Sequence, residues 1–415
     1  MLQKLKALGP GLLYAGAAIG VSHIVQSTKA GAQYGAILII GIVLAHIFKY
    51  PFFELGPRYT ATTGENILHG YRRLGKWALA IVIFLTVTTM FTIQAAVTVV
   101  TAGLAMRITG IQMEPWQMSG ILLLICIVIL SVGKFKLLDN LMKVIMVVLA
   151  VTTIVAFFSS FYAVKEVSPE FMTHFNLRDK THILFLIAFL GWMPAPLDIS
   201  IWHSLWSEEN NRSKGIKSTL KQSLFDFKIG YWGTAILAIC FLMLGANVIY
   251  GTGAVLSDKG TVYAGQFIDM YESSLGRHAY FIIAIAAFTT MFSTTLTCLD
   301  AMPRVVVESL RVWSPVKNNP TIKGSRIQAI VVMFIIAIGA LILLGFFISN
   351  MKQMVTVATS ISFLTAPVLA ILGIMVVRKH LPTGFWSKGK TIIAWLGVIF
   401  LTLLVGYYLI QTVNL

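Results

Sequence analysis

The sequence predicts an all-α polytopic membrane protein, and three observations carry that prediction. Only 12% of the 415 residues are charged while 57% are hydrophobic; a soluble domain carries about 25% charge. Apolar stretches recur along the whole chain, and a spanning helix needs roughly 20 mostly apolar residues. One such stretch, from His182 to Trp206, is interrupted by Gly191-Trp192-Met193-Pro194-Ala195-Pro196-Leu197-Asp198. Pro194 and Pro196 remove two backbone donors and push the residues before them out of helix geometry. In a bilayer the carbonyls freed this way must face protein, water or a ligand. About eleven spans of spanning length fit the pattern: 11–28, 36–56, 77–106, 118–133, 144–163, 182–206, 229–250, 279–301, 327–348, 354–377 and 391–412.

The net charge of +16 reports orientation rather than a nucleic-acid partner. With the N-terminus in the cytoplasm, 23 of the 32 Lys and Arg fall on or next to the cytoplasmic side and eight fall outside; Lys49 lies within a span. That asymmetry follows the positive-inside rule and puts the C-terminus outside the cytoplasm. The basic head Met1–Lys6 runs straight into span 1, so no cleaved signal is expected. Cys126, Cys240 and Cys298 all sit in apolar segments and suggest buried thiols, not a disulfide framework. The expected setting is a bacterial inner (plasma) membrane, and the expected partners are lipid and a transported ion or small solute. No nucleotide loop, nucleophile triad or zinc signature occurs, so neither an enzyme nor a cofactor is expected.

Taken in order, span 1 opens at Gly9-Pro10-Gly11 and is rich in small residues. Its second half carries Ser22, His23, Gln26, Ser27, Thr28 and Lys29, which a lipid-facing helix would not tolerate. A second break is expected over Ala18–His23. Span 2 ends in Lys49, Glu54 and Arg58, with Glu54 and Arg58 spaced for an i,i+4 pair. Thr86, Thr88, Thr89, Thr92, Gln94, Thr98 and Thr101 turn span 3 toward the bundle interior. The loop Lys165–Lys180 has room for a short surface helix, and the polar stretch from Ser207 to Asp226 for a cytoplasmic linker helix. Span 8 places Thr290, Thr294 and Thr297 on one face, suited either to carbonyl back-bonding or to an ion path. Asp300 is spaced to pair with Arg304. Span 10 shows a polar face, while spans 9 and 11 are plain.

Two interrupted spans, each first in a group of five, match the pattern of an inverted-repeat secondary transporter, whose helices break near mid-membrane to hold ions or substrate. The expected division is residues 1–163 for a first repeat, 164–377 for a second and 378–415 for an additional span. The run from Gly9-Pro10-Gly11 through Ala30-Gly31-Ala32-Gln33-Tyr34-Gly35 resembles the first span of the Nramp family of divalent-metal transporters. Arg58 and Thr63-Gly64 resemble the end of that family's second span, and Met193-Pro194, Ser200 and Glu208 its sixth. The resemblance implies a LeuT-type fold with 5+5 inverted repeats, discontinuous helices 1 and 6, and an eleventh span. It also exposes departures. The family's Asp-Pro-Gly-Asn motif falls on Gly20, Val21, Ser22 and His23, so the metal-binding Asp is replaced by Gly20 and the Asn by His23. The family's methionine ligand matches Met193 and its carbonyl donor matches Leu190. The histidine past the methionine–proline pair is Ala195, and the acidic pair of the third span is Gln94 and Val97.

The expected substrate site is therefore Gly20, Ser22, His23, Leu190, Met193, Pro196 and Asp198. The resemblance implies His23, Met193, Gly20 and Leu190 as metal ligands. Asp198, the only acidic residue within the two broken spans, supplies a carboxylate, although its place at the start of a half-helix also suits a cap. His23, Asp198 and Thr294 are candidates for proton or ion coupling. Imidazole and thioether favour a transition metal such as Mn or Fe over Mg. The competing reading is a same-fold symporter for a small organic solute or amino acid, for which the small residues Gly16, Ala18 and Gly20 leave room. A non-transporting receptor fits less well, because polar broken spans are costly without a path.

Overall fold

A computed structural model describes residues 9–132, 135–162, 165–215, 217–276, 280–314, 322–347 and 350–413. No strand occurs among them. Span 1 is broken into α1 (Pro10–Ala18), a π-helical segment (Ser22–Ser27) and α2 (Thr28–Tyr34). Next come α3 (Ile39–Thr63), α4 (Ile67–Leu74), α5 (Lys76–Thr109), α6 (Pro115–Val132) and α7 (Phe135–Ser160). Span 6 is broken into α8 (Lys180–Gly191) and α9 (Ile199–Lys214). The chain finishes with α10 (Leu220–Val248), α11 (Gly260–Leu275), α12 (Tyr280–Trp313), α13 (Ile322–Ile342), α14 (Met351–His380) and α15 (Lys388–Val413). Eight described helices are long and apolar enough to cross a membrane unaided. The two broken spans and α7 complete the eleven.

The elements form two mutually packed groups. α10 packs along α1, α2 and α3, and α9 packs on α3 and α1, which gathers spans 1, 2, 6 and 7 into one bundle. α5 anchors the second group, touching α6, α11, α12, α13 and α14. Small residues allow the closest approach within the bundle. A Cβ added to Gly31 would lie 1.8 Å from the Leu242 carbonyl, so α2 and α10 meet backbone to backbone. The start of α1 lacks a cap of its own. The Asp226 carboxylate of α10 supplies one, accepting from the Gly9 and Gly11 amides at 3.0 and 2.7 Å.

Several local expectations meet the structure differently. The stretch 207–226 forms no separate linker helix: α9 runs on to Lys214, Gly215 ends it in a left-handed conformation, and a Thr219–Gln222 capping box starts α10. The loop 165–180 holds only a 3₁₀ turn, Pro169–Phe171, since Pro169 can begin a helix but the flanking residues are extended. α4 and α11 carry too few apolar residues in a row to register as spans. On α5, Gln94, Thr98 and Thr101 are buried as expected, but Thr88 is on the exposed face and satisfies its hydroxyl on the Phe84 carbonyl. Both expected ion pairs form. Arg58 bonds Glu54, which Lys390 of α15 also reaches at 2.6 Å, and Arg304 holds Asp300 at 2.8 Å. α15 keeps Leu403 and Ile410 exposed, consistent with a peripheral span.

Candidate functional site

The two breaks leave backbone groups without helical partners, and the structure satisfies them in different ways. In span 1 the helix stops at Ala18 and resumes as a π-helix, with Ile19–Val21 between. Here the answer is hydroxyl groups. Thr294 Oγ1 of α12 lies 3.0 Å from the Gly16 carbonyl and 3.2 Å from that of Ile19. Ser22 Oγ lies 2.8 Å from the Ala18 carbonyl, and the Tyr263 hydroxyl bonds the Ile24 carbonyl. Thr294 sits so close that a Cβ on Gly20 would lie 2.7 Å from its methyl carbon. The position where the resemblance places a metal-binding Asp therefore has no room for a side chain while Thr294 stays in place.

In span 6 the answer is a charge. A helical carbonyl at Leu190 would be met by the amide four residues on, but that residue is Pro194 and has no N–H. Lys49 of α3, fully buried, donates instead to the carbonyls of Leu190 at 2.7 Å, Gly191 at 3.2 Å and Met193 at 2.9 Å. An ammonium has three donors, and this one spends all three on the break. It forms no ion pair among the described residues. The sequence signal was a lone lysine in an apolar run ahead of Tyr50-Pro51, a feature that marks a functional position in a membrane segment.

The remaining expected site residues divide into two sets. Ser22, Pro196 and Thr294 line a cavity of about 20 Å³ at the meeting of the two breaks, together with Trp192, Trp202 and Cys298. Asp198 lies between its lining residues Pro196 and Ile199. Its side chain makes no capping bond to α9, and its buried Oδ1 has no partner. His23 and Met193 point elsewhere. His23 is fully buried with Nε2 at 3.0 Å from the Thr234 carbonyl of α10, which makes that nitrogen a donor, and Nδ1 at 2.7 Å from Ser22 Oγ. The Met193 side chain packs in an apolar cluster with Tyr34, Leu38, Ile42 and Leu242. So His23, Met193 and Asp198 do not converge here, and the Leu190 carbonyl is already engaged. Among the described residues, no group of three or more His, Cys, Asp and Glu could hold a metal.

Two polar clusters lie away from the breaks. At the Lys29 end, Asp258 takes Lys29 at 3.0 Å and Lys352 of α14 at 3.1 Å, beside a pocket of about 580 Å³ lined by Gln26, Tyr34, Phe171 and His182 among others. Partial burial pushes the Asp258 carboxyl up, but the two ammonium groups outweigh it and hold it below its usual range. At the opposite end, Asn66 Nδ2 donates to Glu208 at 2.7 Å and Glu308 at 3.3 Å, joining α4 to α9 and α12. His69, whose Nε2 lies 3.6 Å from the Glu308 carboxylate, is raised above its ordinary value by that neighbour.

Residues 11–411 match the family described as natural resistance-associated macrophage protein-like, or Nramp. The chain belongs to the Nramp family. A Pasteurella multocida protein of uncharacterised activity is 37% identical over 409 residues, covering 98% of this chain and 92% of its own length. The divalent metal cation transporter MntH of Staphylococcus aureus is 20% identical, covering 98% and 91%. Among solved structures, a mutant of the Eremococcus coleocola manganese transporter aligns with a TM-score of 0.68 at 14% identity, over 95% of this chain and 84% of that one. The transporter MhsT, solved with L-phenylalanine, aligns at 0.63 and 15% over 96% and 98%. These likenesses fix the LeuT fold. As an Nramp protein the chain is an integral membrane transporter rather than an enzyme, and it needs no cofactor.

Proposed function

We propose that this Nramp protein moves a small cation, a divalent metal ion, by alternating access around the paired breaks. One observation carries the reading: the space where the breaks meet is about 20 Å³, and Asp198, between its lining residues Pro196 and Ile199 in the chain, has a buried Oδ1 without a partner. A space of that size holds about one water-sized body. Asp198 supplies the negative charge that a divalent cation needs, Ser22 and Thr294 offer hydroxyl oxygens, Gly20 leaves the wall open to Thr294, and Pro196 keeps a backbone donor away. Cys298 adds one soft donor, which favours Mn2+ or Fe2+ over Mg2+. The names of the MntH and manganese-transporter relatives agree with that choice. Asp198 is also the group best placed to carry a coupled proton, since an ionisable residue buried in a membrane segment is costly unless it binds or transfers charge.

The same reading divides the chain into repeats at 1–163 and 164–377 with an added span at 378–415. It puts the N-terminus in the cytoplasm of a bacterial inner membrane and the C-terminus outside. A second reading, a small organic solute, is favoured by the size of the pocket of about 580 Å³ lined by Lys29 and Lys352.

Flux into proteoliposomes separates the two. Mn2+ and Fe2+ uptake that saturates, acidifies the receiving lumen and disappears in Asp198→Asn is the expected result. Absent metal flux at every pH, with saturable uptake of an amino acid or organic acid, would establish the second reading instead.

A further inference from the structure

We propose that the Lys49 ammonium is a built-in monovalent cation: it occupies the carbonyl site of broken span 6 and makes a free monovalent cation unnecessary there. The geometry is that of a coordinated ion. Three backbone oxygens from Leu190, Gly191 and Met193 converge on one nitrogen at 2.7–3.2 Å. Such carbonyls, unwound from a broken spanning helix, are the groups that bind Na+ or K+ in membrane proteins. The site is closed to bulk solvent, since Lys49, Met193, Leu190 and Gly191 are all buried. No carboxylate pairs with Lys49 among the described residues, so the carbonyl dipoles alone hold the charge.

The ammonium comes from another span. α3 is fixed against span 6 a second time by Ser200, whose hydroxyl lies 2.7 Å from the Phe52 carbonyl and accepts from the Gly56 amide at 3.2 Å. The stem that delivers the charge is therefore rigidly placed relative to the break. The side chain cannot leave, so no free Na+ or K+ is carried through this site while Lys49 fills it. Lys49 acts as a positioning residue: it sets the shape of the break and leaves the negative charge of Asp198 for the cargo.

Removing the tether should create a vacant site for a free ion. Thermal unfolding of the purified full chain is followed by tryptophan fluorescence in choline, sodium, potassium and ammonium chlorides at equal ionic strength. The wild type should unfold at the same temperature in all four. Lys49→Ala should unfold at a lower temperature in choline and recover by roughly 2–4 °C, saturably, in at least one of the small cations. Lys49→Met, which fills the space with an uncharged stem, should be destabilised and indifferent to the salt. A Lys49→Ala protein that responds no more to sodium, potassium or ammonium than to choline overturns the proposal. So does a Lys49→Met protein as stable as the wild type, because packing of the stem would then be all the break requires. The Lys49→Met comparison stands even where Lys49→Ala is not recovered folded.

Discussion

The two broken spans solve one problem with opposite chemistry. At span 1 the interruption is short and contains no proline, and the carbonyls of Gly16, Ala18, Ile19 and Ile24 are met by neutral hydroxyls from Thr294, Ser22 and Tyr263. At span 6 two prolines open a longer gap, Trp192–Asp198, and a buried ammonium reaches three carbonyls at once. A hydroxyl can be rearranged at small cost where it has a carbonyl of its own helix within reach, as Thr294 has that of Thr290 at 3.1 Å. The ammonium has no such alternative. The difference suggests a soft break that yields during transport and a hard one that keeps its shape.

Substitutions at four positions break or sharpen that contrast. The largest effect is expected at Asp198 of the hard break, whose buried Oδ1 has no partner. Asp198→Asn should lower metal flux more than about tenfold, a factor equivalent to 1.4 kcal/mol, with little change in unfolding temperature; retained flux would remove Asp198 from the path. Next is Gly20, where a Cβ meets Thr294 at 2.7 Å. Gly20→Ala should cost about 1–3 kcal/mol from overpacking, and Thr294→Ser should recover part of it in a double-mutant cycle. Gly20→Asp alone should not create tighter metal binding by calorimetry, because Thr294 occupies the space its carboxylate would need.

Smaller still is Thr294→Val, which keeps the shape and deletes the hydroxyl. A loss of about 1 kcal/mol is expected, read as a lower unfolding temperature. A loss as large as that of Lys49→Ala would erase the distinction between soft and hard breaks.

The smallest effect concerns the ion pair at the Lys29 end. Asp258 is depressed in the folded state, so its stabilising contribution is present above the ordinary carboxylate pKa and is lost as pH falls through the folded value. Its side chain is 41% exposed, and solvent screening limits the contribution to less than about 1 kcal/mol. Asp258→Asn should flatten the acid side of the stability profile by that amount and leave neutral-pH flux of a cation unchanged or slower, since it unshields Lys29 and Lys352.

Much of this architecture is readable without coordinates. Eleven apolar segments, a pair of prolines in the sixth and a polar second half in the first locate the spans and both interruptions, because apolar length and a missing N–H are local properties. Family membership follows from the same residues. Spacing alone also marks Glu54–Arg58 and Asp300–Arg304, since an i,i+4 pair needs only a helix.

What answers each break was decided by packing. Lys49 lies 141 residues from Leu190, and no pattern in either segment names the other. Thr294 shares a helical face with Thr290 and Thr297, yet only the approach of α12 to α1 shows which carbonyls it serves. His23 and Met193 occupy positions the family resemblance marks as ligands, but the imidazole is turned to the Thr234 carbonyl and the thioether packs in an apolar cluster. A sequence determines where a chain must leave hydrogen bonds open. The tertiary structure determines which distant group fills them, because that group arrives by the packing of whole helices.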